Sequence, residues 1–442
     1  MGQIDPPVVR IPRLGQALGM VLVRRRFLMS LRDRYGPTFV LDVPPFGKTL
    51  VVSEPAVLKQ LFTASPEVAG TPQPNLSRML GEGSIFGLDG EPHRLRRKLL
   101  VPPFHGRRMQ AYAGLIEEEF RKEADTWPLG REFATLTPFM RITLNVILRA
   151  VFGADGAELD ELREKLPRFV TYGSRMAVVP FKERSIGPWN PWRTMREHRA
   201  AYDRIVQRLI DRGRREPGDD ILSMMLQSRY EDGAPMSDAH VRDELLTLLA
   251  AGHETTATTL AWAVERLTRH PAALHALVDD LDRGGAELLQ ATVLEIQRTR
   301  PVVLNTARRV RADGLELGGF PVPRGWTVLA GIDLVQNDEA AFPEPGRFDP
   351  ERFVGVKPAT YAWIPFGGGT RRCIGAAFAN LELTVVLRTL LRDFDLRTTY
   401  APDERWHSRG VAYAPDKGGR VVVHRRDRTR PAAAGERMEV PA

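Results

Sequence analysis

Cysteine is nearly absent: Cys373 is the only one among 442 residues. One thiol cannot close an internal disulfide, so the fold does not depend on an oxidising compartment. The residue is either an inert small core side chain or one used for chemistry. Long apolar runs are missing too. A membrane-spanning helix needs about 18 or more apolar residues in a row, and no such run occurs. The opening stretch, MGQIDPPVVRIPRLGQALGMVLVRRRF, lacks the charged start, apolar stretch and small-residue cleavage site of a secretory signal, so a cytoplasmic location is expected. No internal repeat and no linker divides the chain, and no flavin or nicotinamide fingerprint appears. One domain over 1–425 is expected. Residues 426–442 are polar, rich in Pro and Ala and without periodicity, and are expected to form a disordered tail.

What is present points to a large, mainly helical protein. Apolar residues make up 43% of the chain, enough for a sizeable core. The formal net charge of +8 comes mostly from arginines spread along the sequence. Such a surface suits an acidic protein, an anionic membrane or a nucleic acid, but no interleaving of aromatic and basic residues favours nucleic acid. A small β region is expected from PTFVLDVPPFGKTLVVS, two apolar runs around Pro-Pro-Phe-Gly, and later from TVLAGIDLV, RGVAYAP and GRVVVHR. One helix stands out. Ser237 is a good N-cap, the pattern runs unbroken to His270, and Pro271 stops it, giving roughly 50 Å of helix. Its middle, LLTLLAAGHETTATTLAWAV, is apolar but broken by small and polar residues. A break in the centre of a buried helix costs stability and asks for a reason.

Around the lone thiol the chain reads FGGGTRRCIGAAFANLEL, Phe366 to Leu383. Three glycines in a row suit a backbone that turns sharply and approaches another group closely. The sequence after Gly375 is helical, which places Cys373 at a helix start, where free amides and the dipole favour a thiolate. The pattern Phe-Gly-x-Gly-x-Arg-x-Cys-x-Gly is met in full by Phe366, Gly367, Gly369, Arg371, Cys373 and Gly375. This segment resembles the haem-binding loop of cytochromes P450. The resemblance implies haem b with Cys373 as axial thiolate and sole metal ligand. It also implies Phe366 near the sulfur, Gly375 giving clearance and Arg371 meeting a haem propionate.

Further segments match that family in order. Glu295-x-x-Arg298 and, downstream, Arg352 within Pro350-Glu-Arg-Phe353 look like its buried ionic triad. His93 and Arg97, four residues apart on one helix face, resemble propionate binders. Arg308 falls at another such position, with the adjacent Arg309 as a possible substitute. Ala251-Gly252-His253-Glu254-Thr255-Thr256 resembles the oxygen-activation motif. By that resemblance Ala251 and Gly252 border the haem, Gly252 thins the helix for dioxygen, Thr255 supplies a hydroxyl and Glu254 relays protons. Thr256 is the better candidate for bonding back to the carbonyl four residues earlier. A zinc-protease reading of His253-Glu254 fails, because Ala257 stands where a second His is required.

The implied fold is mainly α with a small β region, haem lying between the long helix and the Cys loop. The implied activity is insertion of one atom of O2 into a hydrophobic small molecule: a fatty acid, terpenoid, steroid or polyketide-like compound. Family position puts Ile85, Phe86, the region around Phe169 to Val179, Thr247, Ala251, Val303 to Asn305 (Leu304 included) and Val411 around the substrate. Electrons would come from a separate ferredoxin or flavodoxin with its NAD(P)H reductase, docking on Arg94, Arg96, Lys98 and Arg372. Two alternatives stay open: a peroxide-using P450, and a haem-bearing recruitment domain without catalysis.

Overall fold

The computed structural model describes residues 5–44, 47–72, 75–106, 108–153, 156–177 and 190–427. Most of the expected tail therefore lies outside the described residues. Helices dominate, and the helix begun by Ser237 is their axis. It runs Asp238–Arg269, 32 residues, with the Ser237 side chain accepting from the His240 N–H. At about 1.5 Å per residue it crosses the whole molecule. From Ala257 to Leu267 nearly every apolar side chain is buried, Trp262 completely. Helix Leu136–Phe152 packs along it and so does helix Ala376–Asp393.

The β region is a five-stranded sheet at one side. Strands β1 (Thr38–Val43) and β2 (Gly47–Val52) form the antiparallel hairpin read from the Pro-Pro-Phe-Gly segment, with Thr38 opposite Val52. Strand Thr327–Gly331 joins β2 in parallel, then Asn305–Val310 pairs antiparallel to it, and β3 (Ala69–Gly70) closes the far edge. The expected late strands appear at Tyr413–Pro415 and Arg420–Arg425. TVLAGIDLV is only half a strand. It ends at Gly331, and Ile332–Gln336 is a short helix. Tertiary contacts override the apolar run. Arg25 holds Asp333 in its first turn at 2.9 Å, and Gln336 donates to the carbonyls of Gln297 and Arg298.

Three short helices at the start of the chain complete this side: α1 (Arg13–Leu22), α2 (Arg24–Tyr35) and α3 (Pro55–Thr63). The first two cover β1 through a small cluster that includes Leu28, Leu31, Phe39 and Leu41. The third lies under the glycines that precede Cys373.

Candidate active site

The Cys373 loop is a tight backbone form that its glycines make possible. Gly367 and Gly369 have φ of 67° and 65°, in the left-handed region other residues avoid. A Cβ at Gly369 would overlap the Phe62 carbonyl of α3, and one at Gly368 would enter the Phe62 ring. The loop is closed by bonds from the Gly367 N–H to the Ile364 carbonyl and from the Cys373 N–H to the Phe366 carbonyl (3.0 Å). Helix Ala376–Asp393 starts three residues after Cys373, with Gly375 at its N-cap position and open space where a Gly375 Cβ would be.

Cys373 is exposed, and the surface it exposes is the wall of an internal cavity of about 450 Å³. Protein crowds the sulfur elsewhere, and burial pushes its thiol above the ordinary value. The Gly375 N–H, Arg97 and Arg372 pull the other way and do not win. The Gly375 N–H at the helix start favours the thiolate, as the sequence leads one to expect, and burial of the sulfur opposes it.

One end of the cavity collects positive charge. His93 and Arg97 lie on helix Gly90–Leu100 and face the cavity together with Arg371. Arg371 is held by the carbonyls of Ile85 and Leu88 and by Asp89 at 2.9 Å. Asp89, the N-cap of that helix, also takes Arg311 at 2.7 Å. Arg308 is buried, bonds to Thr306 and the Ala307 carbonyl and lies over the Phe62 ring, next to the cavity wall rather than in it, while strand alternation turns the adjacent Arg309 out to Thr327. Burial lowers His93 to about 4, helped by Arg371 and Arg97, and lowers Arg308 to about 10. His93 is thus neutral, but Arg97, Arg308, Arg311 and Arg371 around the Asp89 carboxylate are electrostatically unbalanced. A flat group carrying two carboxylates, with a metal to meet the sulfur, fits that imbalance.

Another part of the wall is the central helix. Thr247, Ala251, Gly252, Glu254 and Thr255 line the cavity there. The missing Gly252 Cβ points at Ile147, 3.4 Å away, so the thinning expected at Gly252 opens space on the Ile147 side. Thr255 donates to the Ala251 carbonyl at 2.7 Å, the back-bond expected instead of Thr256. Thr256 faces Glu382 on helix Ala376–Asp393, a fully buried acid raised to about 8 by burial. Glu254 is 7% exposed and bound by Arg409 Nε at 2.9 Å. Ile85, Phe86, Val303 and Val411 also line the cavity, which is largely apolar, as does Phe169. Leu304 does not. It is buried in the core, where its carbonyl accepts from the N–H groups of Ile332 and Asp333. Asn305, beside it, is likewise not in the wall. Val178 and Val179 lie outside the described residues.

A cytochrome P450 family model matches residues 6–418. The chain belongs to the cytochrome P450 family. Its curated relatives include cytochrome P450 138 of Mycobacterium tuberculosis, 53% identical over 95% of this chain and 96% of that protein. Cytochrome P450 135B1 of the same organism is 39% identical over 93% and 90%. Among solved structures, retinoic acid-bound cyanobacterial CYP120A1 superposes with a TM-score of 0.84 at 25% identity, over 96% of this chain and 100% of that one. The haem domain of cytochrome P450DA has the same fold, with a TM-score of 0.86 at 22% identity over 97% of this chain and 98% of that one. P450 proteins hold haem through a cysteine thiolate, and the residues around this cavity fit that group.

In this P450 Glu295 and Arg298 are both fully buried and joined by two bonds of 2.7 and 2.8 Å. Arg352 reaches Glu295 at 3.3 Å. Arg298 also donates to the carbonyls of Gln336, Pro345 and Arg347, tying three segments together behind the Cys loop. The proposed docking cations fare less well. Arg96 is buried and bound to Glu244 at 2.6 Å, because it lies on the inner face of its helix. Arg94 and Lys98 are on the outer face but share Glu231 as a partner. Arg372 is exposed, beside Cys373.

Sequence reasoning missed Arg409, Asp89 and Glu382. Asp89 had a local signal, an Asp directly before a helix start. Arg409 had none, being 155 residues from Glu254. The loop that carries Arg409 is clasped to the central helix at three levels. Besides the Glu254 pair, Trp262 Nε1 donates to the Tyr413 carbonyl at 2.9 Å, and Glu265 accepts from the Glu404 N–H at 2.9 Å. Within that loop the Val411 N–H donates to Ser174 Oγ.

Proposed function

We propose that this protein is a haem-thiolate monooxygenase acting on a hydrophobic small molecule. The observation that carries the reading is the convergence, in one cavity, of the only cysteine, an unbalanced cluster of cations and the Glu254–Thr255 pair. Cys373 would hold the iron of haem b, with the Gly375 N–H directed at the sulfur to tune its donation. Arg97, Arg308, Arg371 and His93 would hold the haem carboxylates. Phe366, Gly375, Ala251 and Gly252, which line the same cavity, would border the group. Bound haem supplies the O2 and oxidative chemistry, and the protein supplies orientation and protons.

Glu254 would relay protons inward from solvent, and Thr255 Oγ1, fixed by the Ala251 carbonyl, would pass them into the cavity. The apolar walls at Ile85, Phe86, Val303 and Val411 would exclude bulk water and orient the substrate, with Thr247 as a polar contact. A fatty acid, terpenoid, steroid or polyketide-like compound fits such walls, and the relative holding retinoic acid supports the terpenoid end of that range. Electrons would arrive from a separate ferredoxin or flavodoxin and its NAD(P)H reductase, with Arg372 the best-placed exposed cation. Residues 1–425 would form a single domain that works in the cytoplasm.

The reduced carbon monoxide complex tests the ligand. Wild type should show the thiolate-specific red-shifted absorption band, and Cys373→Ala should lack it. Persistence of the band in that variant would sink the assignment. Substrate follows from a library screened for the low-spin to high-spin shift as water leaves iron, with product formation required of each hit.

A further inference from the structure

Exposed apolar side chains on this molecule are not scattered. Of the eleven large hydrophobic residues exposed among the described residues, six fall between residues 8 and 23: Val8, Leu14, Leu18, Val21, Leu22 and Val23. Single exposed apolar residues need no explanation, but a contiguous patch does. Leu14, Leu18, Val21 and Leu22 lie three, four and eight positions apart along α1, which puts them on one face. Their exposures of 73%, 51%, 70% and 71% show that nothing in the fold covers that face.

The helix is nonetheless fixed in orientation. Gln16 is buried on its other side and donates to the carbonyls of Val9 and Ile11 while accepting from the Asp42 N–H at 2.8 Å. The Phe27 ring of α2 lies so close to Gly19 that a Cβ there would come within 2.7 Å of it. The stripe is thus held outward by specific contacts on the inner side.

Cations outnumber acids around the stripe. From Val8 to Ser30 the chain carries Arg10, Arg13, Arg24, Arg25 and Arg26 and no acidic residue. Arg25 turns inward to Asp333, and Arg13 shares Asp42 at 3.2 Å while remaining 63% exposed. Arg10 and Arg26 are exposed, and neither has an ion-pair partner among the described residues. An apolar helix face flanked by arginines is the make-up of an interfacial helix. A second copy of the chain is a poorer fit. A two-fold interface sets a patch against itself, which would bring these arginines together with little beyond Asp42, already shared with Arg13, to offset them.

We propose that α1 and the arginines around it form a peripheral docking surface for an anionic phospholipid bilayer. The apolar stripe enters the headgroup boundary, and Arg10, Arg13 and Arg26 pair with lipid phosphates. No helix of the described residues is long and apolar enough to cross a membrane, so the contact is a surface one. This assignment stands apart from the monooxygenase reading, since none of these residues lines the cavity.

Vesicle co-sedimentation of the haem-loaded protein tests it, using phosphatidylglycerol/phosphatidylcholine vesicles against pure phosphatidylcholine, at low and high salt. Wild type should sediment with the anionic vesicles, and salt should release it. The double variant Leu18→Asp/Leu22→Asp should lose at least about tenfold in partition, because moving even one leucine out of water is a factor of that order. Arg10→Gln and Arg26→Gln should each lose about fivefold on anionic vesicles and be unchanged on neutral ones. These side chains are exposed, so an unaltered carbon monoxide spectrum checks that each variant is folded. Failure of wild type to bind anionic vesicles at low salt overturns the proposal. Equal binding by the Leu18/Leu22 variant overturns it too, as does a wild-type dimer that this variant dissociates without any vesicle binding.

Discussion

Glu382 offers a quantitative test of how these helices pack. Its carboxyl lies between helix Ala376–Asp393 and the central helix, 1% exposed, with Thr256 as its polar neighbour and Oε1 without a hydrogen-bond partner. Burial raises it from 4.5 to about 8. The folded protein then holds this proton over a range in which the unfolded chain has lost it. Stability from this group is therefore complete below about pH 4.5, falls as pH rises, and levels off above about 8. At about 1.4 kcal/mol for each pH unit, the full swing is about 5 kcal/mol. Glu382→Gln keeps the shape and removes the titration. Subtracting the two stability curves cancels the other groups. The variant should gain on wild type by about 3 kcal/mol between pH 5 and pH 8, measured by urea unfolding of the haem-loaded proteins at several pH values. Infrared difference spectra should show the carbonyl stretch of a protonated carboxylic acid at pH 6, absent from Glu382→Gln. Parallel stability curves would refute the argument, because they would mean that Glu382 titrates like an exposed acid.

Three other outcomes follow from the geometry. Arg409→Leu should cost about 1–2 kcal/mol by leaving the Glu254 carboxylate unpaired in a largely buried place, and adding Glu254→Gln should restore most of it; a double-mutant cycle reads the coupling directly. Gly369→Ala should lower the haem-to-protein ratio, since its positive φ alone costs about 1–3 kcal/mol and the new methyl strikes the Phe62 carbonyl of α3. Arg298→Lys keeps the charge but lacks the fork that serves Glu295 and three carbonyls, so a loss of about 3–5 kcal/mol is expected, read as a lower urea midpoint and poor yield of folded protein.

Local signals carried much of the fold. Ser237 and Pro271 bound the central helix because capping and the missing proline N–H act within one turn. The hairpin at Thr38–Val52 was equally plain. Ile332–Gln336 was not, since its helical form depends on Arg25, some 300 residues earlier. Arg96 is a different kind of miss. At 100° per residue it lies far around the helix from Arg94 and Lys98, so its inward direction could have been read from spacing. The partners of Glu254 and Glu382 could not, because only the packed fold sets Arg409 and Thr256 beside them. Leu304 shows the same limit in reverse: it sits one residue from the cavity wall and faces the core.

The clasped loop from Glu404 to Tyr413 has a consequence for anyone reshaping the cavity. Val411 is an obvious position to vary when a new molecule is to be accommodated, and Arg409 sits two residues before it. Between them is Gly410, whose φ of 115° and whose closeness to the Ser174 backbone leave little room for a side chain or for give. Bulk added at Val411 has no slack on either side to absorb it, so the strain passes to the residue that holds Glu254. The cavity wall at Val411 and the placement of Glu254 are therefore set through one short stretch of chain. A library drawn at Val411 alone perturbs the cavity wall and the Glu254 contact at once, while one drawn at Phe86, outside the loop, leaves the Arg409–Glu254 contact alone.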